Sequence, residues 1–483
     1  MSKRLEFNVG QQKVWDEILE YNNLFVAGVA GVGKSFIINR LRELYGHETL
    51  FTSTTGRSAA DIGGSTLHSA LCLPTVHPTR GSLSKISDRV AKLFAKGTVR
   101  RIVIDEVGML TAGSMYALSQ RIKHFEKAVG RFTKDYKIQV IMFGDLGQLG
   151  AVMGDKEKEL AKKSYKTTKF FKMRQFEQMD FKFVELTKNE RQSEEELRKM
   201  LGHIRRGKSK RIKLPNGGYF TSLDKDVKDA IKYFNKHCYH GGKVPTDKVT
   251  LTPTNRKVAE YNKVVFDKNP NPIRVYSAER YGDFKVKDIP TDMELSLKDG
   301  LKVIILRNDR DGEYVNGSTG VVTHMADEGV WVRLDNTINE VLISQAEWET
   351  VDYVMKDDED GEEELDTEVS GTFKQIPLKP CTALTINRSQ GQTLNESVVD
   401  LGQGLPFAPA LLYVALSRVK ELKGIYLTRE IKESDILVDH EALEWLEEKL
   451  AIQLEEDKKD ITVNGLQHDS SSIDEWSDDL PMI

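Results

Sequence analysis

The chain has 483 residues, of which 39% are hydrophobic and 30% charged, a composition typical of a globular protein with about two to four domains. No window approaches the roughly 18 consecutive apolar residues of a membrane span, and the first residues, MSKRLEFNVGQQK, lack the apolar run of a signal peptide. Three scattered cysteines are too few for a disulfide framework or a zinc site, so we expect a protein of a reducing compartment, the cytoplasm, with no membrane partner.

The net charge of −4 is unevenly distributed along the chain. Residues 357–368 (DDEDGEEELDTE) contain nine acids and no base, and residues 451–483 contain nine acids and two lysines. The rest of the chain is therefore basic, and we expect the two acidic segments to be a solvated loop and a solvated tail. A basic body is compatible with a partner that carries phosphates, but charge that serves only solubility explains it equally well.

Four short apolar runs are each followed by a polar loop. These runs are residues 24–27, 101–104, 138–143 and 249–252. Unbroken apolar strands that end in polar loops are typical of a parallel sheet buried on both faces, with sites at its carboxyl edge. Helical apolar spacing over residues 35–45, which ends at Gly46, adds a helix between the strands and favours an α/β fold.

The chain changes character near residue 290. Residues 302–306, 320–323 and 330–334 are short, rich in β-branched side chains and separated by turns. This pattern predicts a small antiparallel sheet or barrel over 290–378 that includes the acidic loop. The α/β character resumes at Pro380, the spacing over 439–454 predicts an amphipathic helix, and the polar end of the chain is predicted to be disordered.

The loop GVAGVGKS follows the first predicted strand and precedes the first predicted helix. It fits the pattern G-x-x-x-x-G-K-[ST] in the context that a phosphate-binding loop requires. Gly28, Gly31 and Gly33 let backbone N–H groups approach phosphates, and the helix N-terminus adds a partial positive charge. We expect Lys34 to reach the β- and γ-phosphates of ATP and the Ser35 hydroxyl to bind Mg²⁺.

Asp105 and Glu106, at the end of another predicted strand, complement this loop. Asp105 can hold Mg²⁺ through its shell, and Glu106 can polarise an attacking water as a general base. Gln148 could sense the γ-phosphate, although a simple turn explains that segment equally well on its own. Arg191 and Arg418 each follow an apolar or β-rich run, and a guanidinium can neutralise a transferring phosphoryl group. Most isolated arginines are surface residues, so spacing alone does not assign these two.

The order of these motifs resembles that of superfamily 1B DNA helicases of the RecD, Dda and Pif type. The resemblance runs from about residue 7 to residue 427. The segments that carry it, in chain order, are VGQQKVWDEI, GVAGVGKS, TSTTGRSAADIGGSTLHSAL, VIDEVGML, FGDLGQLGAV, LTKNERQ, ALTINRSQGQTL and LYVALSRV. LRKMLGHIRRGK and VNGSTGVV also resemble this group rather than its 3'-to-5' relatives.

The resemblance implies an α/β protein with two RecA-like P-loop domains, 1A and 2A, that hold ATP between them. It also implies a small strand-separating insertion in the first domain, 1B, and a β-barrel-like insertion in the second, 2B. The boundaries that we expect are 1–70 and 99–185 for 1A, 71–98 for 1B, 186–289 and 379–455 for 2A, 290–378 for 2B, and 456–483 for an acidic tail.

The resemblance also implies roles for individual residues. Gln11 is expected to read the adenine base. Hydrolysis is expected to depend on Lys34, Ser35, Asp105, Glu106, Gln148, Arg191 and Arg418. Contacts with single-stranded DNA are expected from Thr55, Gly56, His68, Thr254, Asn255, Thr385, Ser389, Gln390 and Gly391.

The chain departs from the family's pattern at several positions. Gly108 stands where serine or alanine is usual, and residues 150–151 are glycine and alanine where prolines are frequent. Asn387 and Arg388 replace a His-Lys pair, which keeps the charge but removes the histidine. The segment 71–96 has no recognisable aromatic wedge, so the sequence supports ATP hydrolysis more strongly than strand separation.

The resemblance therefore implies an ATP-dependent DNA helicase that uses ATP and Mg²⁺, moves along single-stranded DNA, 5'-to-3' by analogy, and opens forked duplexes in replication, recombination or repair. Two alternatives remain: a DNA-dependent translocase that remodels protein–DNA complexes, and a recombination accessory protein whose ATPase switches a binding state. We expect a monomer. The acidic tail ends in apolar residues, like the partner-recruiting tails of single-strand-binding proteins. It is expected to dock on a single-strand-binding or replication protein or to compete with DNA for the basic groove, the alternative being a plain disordered tail.

Overall fold

The computed structural model describes most of the chain. The described residues are 7–29, 31–74, 77–78, 82–83, 86–95, 97–131, 135–151, 153–188, 194–213, 219–284, 289–307, 309, 313–314, 318–335, 340–357, 363–404, 406 and 408–463. Arg191 and the end of the predicted tail, 464–483, lie outside them. Among the described helices, none is both long and apolar enough to cross a membrane.

Residues 7–186 form the first domain, which is built on a six-stranded sheet. Its elements in chain order are α1 (Val9–Leu19), β1 (Leu24–Gly28), α2 (Lys34–Tyr45), β2 (Thr49–Ser53), α3 (Gly56–Asp61), β3 (Ser65–Thr66), α4 (Leu67–Ala70), α5 (Asp88–Ala95), β4 (Arg101–Asp105), α6 (Ala112–Val129), β5 (Gln139–Gly144), α7 (Asp155–Tyr165), α8 (Arg174–Glu177) and β6 (Lys182–Leu186). The strand order is β3-β2-β4-β5-β1-β6, and every neighbouring pair is parallel. The predicted α/β class and buried parallel sheet are therefore confirmed.

Both faces of this sheet are covered, because successive side chains of a strand point to opposite faces. Along β4, Val103 packs in the cluster formed with α1 and α2, while Ile102 and Ile104 pack in the cluster formed with α5 and α6. Apolar residues therefore occur at every position of the strand, as the unbroken runs in the sequence indicate.

The second domain starts after the first sheet and is interrupted by a β-rich insertion. Its first elements are α9 (Glu195–Arg206), β7 (Ser209–Lys213), β8 (Tyr219–Leu223), α10 (Lys225–Cys238), β9 (Val249–Thr252) and α11 (Asn255–Lys268). The insertion contains β10 (Arg274–Ser277), β11 (Glu279–Gly282), β12 (Glu294–Leu297), β13 (Lys302–Ile305), β14 (Thr319–Met325), β15 (Gly329–Leu334), β16 (Glu340–Ser344), β17 (Ala346–Asp357), β18 (Glu363–Gln375) and β19 (Leu378–Pro380). The chain then returns through β20 (Ala383–Thr385), α12 (Ile386–Ser389), β21 (Ser397–Val399), α13 (Leu411–Leu416), β22 (Ile425–Leu427) and α14 (His440–Val463).

The second domain and its insertion are built on different kinds of sheet. The strands β20-β9-β21-β22 form a parallel sheet, whereas β16-β15-β14-β13-β19 form an antiparallel sheet around its own apolar cluster. The predicted β-rich insertion is thus present, and the chain leaves and re-enters the parallel sheet on either side of it.

The expectation that the acidic segment is a loop is wrong for all of its described residues. Strands β17 and β18 pair as a long antiparallel hairpin from Ala346 with Gln375 to Asp357 with Glu363, with one shift of register between Thr350 and Val351. The residues of the segment from Glu363 onward are therefore strand, and 358–362 lie outside the described residues. Hydrogen bonding to β17, a strand rich in β-branched and aromatic residues, outweighs the low strand propensity of the acids.

The last helix, α14, crosses back from the second domain and packs on the first. The side chain of Trp445 contacts the rings of four phenylalanines of the first domain, with centroids 4.7 to 6.1 Å apart: Phe25, Phe171, Phe176 and Phe183. Ion pairs flank this contact, among them Lys169 with Asp439 and Lys182 with Glu456.

Helix α14 also extends to Val463, beyond the predicted end at 454. The disordered tail predicted from residue 456 is therefore wrong at its start. Gln453 accepts a hydrogen bond from the backbone N–H of Phe183, and Asp457 pairs with Lys13 of α1. These contacts with the first domain stabilise the last turns of α14, where the sequence is mostly polar.

We predict that Trp445→Ala destabilises the first domain by about 3 kcal/mol, because it removes a large ring from an aromatic cluster without replacement. The measurement is the free energy of unfolding by urea, followed by far-ultraviolet circular dichroism. Ile452 lies on the same helix and is 43% exposed, so Ile452→Ala should change the free energy of unfolding by less than about 0.5 kcal/mol. Equal effects of the two substitutions would contradict the docking of α14.

Candidate nucleotide site and interdomain cleft

The carboxyl ends of β4, β5 and β1 are adjacent in the first sheet. The glycine-rich loop follows β1, Asp105 ends β4, and the segment from Asp145 to Gln148 follows β5. Parallel strands end at the same edge, so three motifs that are far apart in sequence meet there. This edge is the candidate nucleotide site.

The glycine-rich loop has the geometry of a phosphate-binding loop. Gly33 caps α2 with a φ of +86°, a left-handed conformation that a residue with a side chain rarely adopts. The Lys34 ammonium donates to the carbonyls of Gly28, at 2.6 Å, and Val29, at 3.0 Å. Its charge therefore lies within the loop, and Ser35 is exposed in the first turn of α2.

Gln11 lies against the same loop. A Cβ atom at Gly33 would come within 2.4 Å of the Gln11 Nε2 atom, so the missing side chain of the glycine makes room for the glutamine. Gln11 is also fixed by a capping box: its Oε1 accepts from the N–H of Asn8, and its own N–H donates to the Asn8 Oδ1. The predicted base-reading residue is thus held beside the phosphate loop.

The two carboxylates of the site stand in different environments. Burial, together with the charge of Glu106, raises the pKa of Asp105 to about 7, and the Lys34 ammonium partly opposes this rise. Glu106 has a φ of +52°, and its carbonyl accepts from the Thr54 hydroxyl at 2.8 Å. A non-glycine residue held in this conformation is typical of functional sites. A buried carboxylate with a raised pKa gains from a bound cation, so Asp105 with Ser35 fits Mg²⁺.

The second domain reaches this site directly. The Gln390 side chain, which follows α12, donates from Nε2 to the Glu106 Oε2 at 3.3 Å. The sequence assigned Gln390 to the DNA track and Glu106 to hydrolysis. The structure brings the two together across the cleft.

Asp145 forms a buried junction that the sequence analysis missed. Its carboxylate, 1% exposed, accepts from the Nε of Arg205 at 3.1 Å and from the Nη2 of Arg205 at 2.6 Å. Gln148, the predicted γ-phosphate sensor, donates from Nε2 to the same carboxylate at 3.2 Å. Arg205 belongs to α9, so this ion pair joins the two domains.

A signal for Arg205 was present in the sequence. On α9 the residues Leu197, Met200, Leu201 and Ile204 form the buried face, and Arg205 follows Leu201 by four residues. A residue four positions after a buried one lies on the same side of a helix. An arginine in that position needs a buried anionic partner, although the helix alone does not say which.

Arg418 is fully buried within the second domain. Its guanidinium donates to the carbonyls of Val414 at 2.9 Å, Gln392 at 3.3 Å and Ser389 at 3.5 Å, and to the Ser417 hydroxyl at 2.8 Å. The predicted phosphate-binding arginine is therefore held by the loop that also carries Gln390. The other predicted arginine, Arg191, lies outside the described residues.

The predicted DNA contacts of the first domain follow β2 and β3. Thr55 precedes α3, and its hydroxyl oxygen accepts from the N–H of Ser58 at 3.2 Å. Gly56 is exposed, and the half-buried His68 lies 3.4 Å from the Ser114 hydroxyl through its Nε2. All three lie at the carboxyl edge of the sheet.

The predicted DNA contacts of the second domain divide into exposed and buried residues. Thr254, Asn255 and Gly391 are exposed after β9 and α12. Thr385 and Ser389 are buried, and their hydroxyls are engaged in capping α12 and in a bond to the Ile386 carbonyl. Direct contact with DNA is therefore open to the first group, while the second group shapes the loop.

Comparisons with known proteins agree with this architecture. Residues 6–214 match the model of the PIF1-like helicase family. The ATP-dependent DNA helicase Pif1 of Campylobacter jejuni is 28% identical over 446 residues, which cover 86% of this chain and 91% of that protein.

Solved structures extend the likeness to the whole fold. Pif1 from Bacteroides sp in complex with ADP-AlF4 superposes with a TM-score of 0.79 at 26% identity, over 92% of this chain and 98% of that one. Bacteroides Pif1 bound to single-stranded DNA superposes with a TM-score of 0.61 at 28% identity, over 91% and 96%. With the ordered motifs and the two parallel sheets, these likenesses show that the chain is similar to the PIF1-like helicases, in agreement with superfamily 1B.

Proposed function

We propose that this chain is an ATP-dependent DNA helicase that moves 5'-to-3' along single-stranded DNA and opens forked duplexes. The observation that carries the proposal is the hydrogen bond from Gln390 to Glu106. It joins the strand-binding segment of the second domain to the carboxylate best placed to activate water. The kinship with proteins named ATP-dependent DNA helicases, and with a Pif1 that binds single-stranded DNA, supports it.

The residues of the first domain divide the chemistry of hydrolysis among them. Lys34 binds the β- and γ-phosphates, and Glu106 orients the attacking water and accepts its proton. Ser35 and Asp105 would hold Mg²⁺, which neutralises phosphate charge when bound. Gln11 contacts the adenine base beside the loop.

The second domain couples this chemistry to the DNA. Gln390 and Gln392 lie in one loop, and the carbonyl of Gln392 holds the Arg418 guanidinium. A DNA strand that contacts the exposed Gly391 therefore displaces both Gln390, which is bonded to Glu106, and the Gln392 carbonyl, which is bonded to Arg418. We infer that this loop conveys strand binding to the nucleotide site, while Arg191 and Arg418 stabilise charge on the phosphates when the cleft closes.

The DNA track is proposed to cross the carboxyl edges of both sheets. Thr55, Gly56 and His68 contact the strand from the first domain, and Thr254, Asn255 and Gly391 contact it from the second. Contacts of this kind bind phosphates and sugars, so affinity should depend on salt more than on base sequence. Alternating grip by the two domains then moves the protein along the strand.

One observation favours translocation without strong unwinding as a second candidate. Phe94, on α5 of the predicted strand-separating insertion, stacks on Phe125 with ring centroids 3.8 Å apart and is 1% exposed. This ring supports the core and is not presented to a duplex. The described part of 71–96 has no other Phe, Tyr or Trp.

The nucleotide site can be tested with three substitutions. Lys34→Ala and Glu106→Gln should each lower DNA-stimulated ATP turnover by about 100-fold or more, because they remove phosphate binding and the general base. Arg418→Ala should lower kcat far more than ATP affinity. The measurements are steady-state ATPase assays and fluorescence anisotropy with a labelled oligonucleotide, since DNA binding should survive the first two substitutions.

Lys163→Ala is the matched control, because Lys163 is an exposed residue of α7. It should leave turnover unchanged. Retained turnover in Lys34→Ala or Glu106→Gln would refute the site, and normal kcat in Arg418→Ala would remove its role at the phosphates.

Unwinding and its direction can be measured with tailed duplexes. A duplex with a 5' single-stranded tail should be opened faster than one with a 3' tail, and a blunt duplex should stay closed. The second candidate predicts a different result: ATP-dependent displacement of streptavidin from a biotinylated single strand without opening of either tailed duplex. Preferential opening of the 3'-tailed duplex would contradict the proposed polarity.

We also propose that the chain acts as a monomer in the cytoplasm and that residues 464–483 recruit a single-strand-binding protein. The tail's acids and terminal apolar residues support this role, and the presence of all three cysteines as thiols fits a reducing compartment. Removal of 464–483 should abolish co-elution with a single-strand-binding protein in size-exclusion chromatography with light scattering. Unchanged co-elution would contradict the role of the tail, and a dimeric mass for the chain alone would contradict the monomer.

A further inference from the structure

The segment after β5 is anchored in the core of the other domain. Leu149 is 2% exposed and packs in the apolar cluster of the second domain, together with Leu201 and Ile204 of α9. The segment from Asp145 to Leu149, which we name the joint loop, therefore starts at the sheet of the first domain and ends in the core of the second.

The carboxylate of Asp145 organises the joint loop. Its Oδ1 accepts from the Gly147 N–H at 2.8 Å as well as from Arg205. Its Oδ2 accepts from Gln148 at 3.2 Å and lies 3.5 Å from the Tyr413 hydroxyl. One buried acid thus contacts its own loop, helix α9 and helix α13.

Gly147 allows the arginine to lie directly on the joint loop. A Cβ atom at this position would come 2.4 Å from the Arg205 Nε and 2.9 Å from its Cζ. Atoms at these distances overlap, so any side chain at 147 displaces the guanidinium. The fit of Arg205 against the loop is therefore steric as well as electrostatic.

Arg205 and Asp145 depend on each other. Burial alone would raise the pKa of Asp145, but the adjacent Arg205 guanidinium overrides this effect and lowers that pKa below its ordinary value. A buried carboxylate without its cation is strongly disfavoured, so the pair moves together when the domains move. The orientation of Gln148 follows, because its side chain is bonded to the same carboxylate.

We propose that Arg205 is a positioning residue that links nucleotide binding to strand binding by holding the joint loop, and with it Gln148, against the second domain. This inference rests on the proposed function. Without Arg205 the loop would keep the apolar anchor of Leu149, but the carboxylate that holds Gln148 would lose its ion pair with the second domain. Helix α13 contains Tyr413 and leads into Arg418. The contacts of Asp145 therefore also reach the helix that precedes this arginine.

The test is the thermodynamic coupling between two ligands: the ratio of the Kd for a labelled oligonucleotide without nucleotide to the Kd with ADP–aluminium fluoride. Arg205→Met should bring this ratio about tenfold closer to one, because the guanidinium no longer holds Asp145, and with it Gln148, against the second domain. Arg205→Lys keeps the charge but not the two donors on one oxygen, so it should restore the ratio only in part. Gly147→Ala should act in the same direction as Arg205→Met.

Arg198→Met is the matched control, since Arg198 is an exposed arginine of the same helix. Its coupling ratio should stay within about twofold of the unchanged protein. Should Arg205→Met fail to fold, the double variant Arg205→Met/Asp145→Asn removes the unpaired buried charge and is measured in its place.

The outcomes separate this inference from the proposed function. Absence of coupling in the unchanged protein would contradict the proposed function itself. Strong coupling in the unchanged protein, with the same ratio in a folded Arg205→Met or double variant, would overturn only the role of Arg205. A lower melting temperature with an unaltered coupling ratio also counts against the proposed role of Arg205, because a residue that only stabilises the fold would give this result.

Discussion

Hydrogen bonding between parallel strands is the constraint on which the rest of this structure depends. Because neighbouring strands of the first sheet run in one direction, the residues that follow β1, β4 and β5 must lie at a single edge. The glycine-rich loop, the pair Asp105 and Glu106, and Gln148 are separated by dozens of residues, and only the sheet brings them together. The same rule in the second sheet places Thr254 and Gln390 at its carboxyl edge. The candidate nucleotide site and the proposed strand track thus lie at the edges of two sheets that face a common cleft.

Polar contacts across that cleft have a different character from the packing within each domain. The Gln390–Glu106 hydrogen bond and the Arg205–Asp145 ion pair need defined distances and angles, whereas an apolar contact such as that of Leu149 tolerates sliding. Buried ion pairs add little net stability relative to apolar replacements. Their contribution is geometric, because an arginine with two donors on one carboxylate oxygen accepts few relative positions of the domains.

Much of this architecture could be predicted from the sequence, and the exceptions share a physical reason. The strand before Gly28, the helix after Lys34 and the strand before Asp105 are set by local apolar runs and a local glycine pattern. Arg205, the Gln390–Glu106 bond and the extension of α14 to Val463 depend on partners that are distant in sequence: 60 residues for Arg205 and more than 200 for the other two. Local spacing carries no record of such partners. The acidic hairpin illustrates the same limit, since its residues disfavour strands and only pairing with β17 makes them one.

Helix α14 gives the two domains a second connection. The chain passes from the first domain to the second between β6 and α9 and returns when α14 packs on Phe25 and Phe183. Phe25 belongs to β1, the strand that leads into the phosphate loop, and Phe183 belongs to its neighbour β6. A movement of the second domain therefore acts on the first at the joint loop, on the carboxyl edge of the sheet, and at α14, on one face of the sheet.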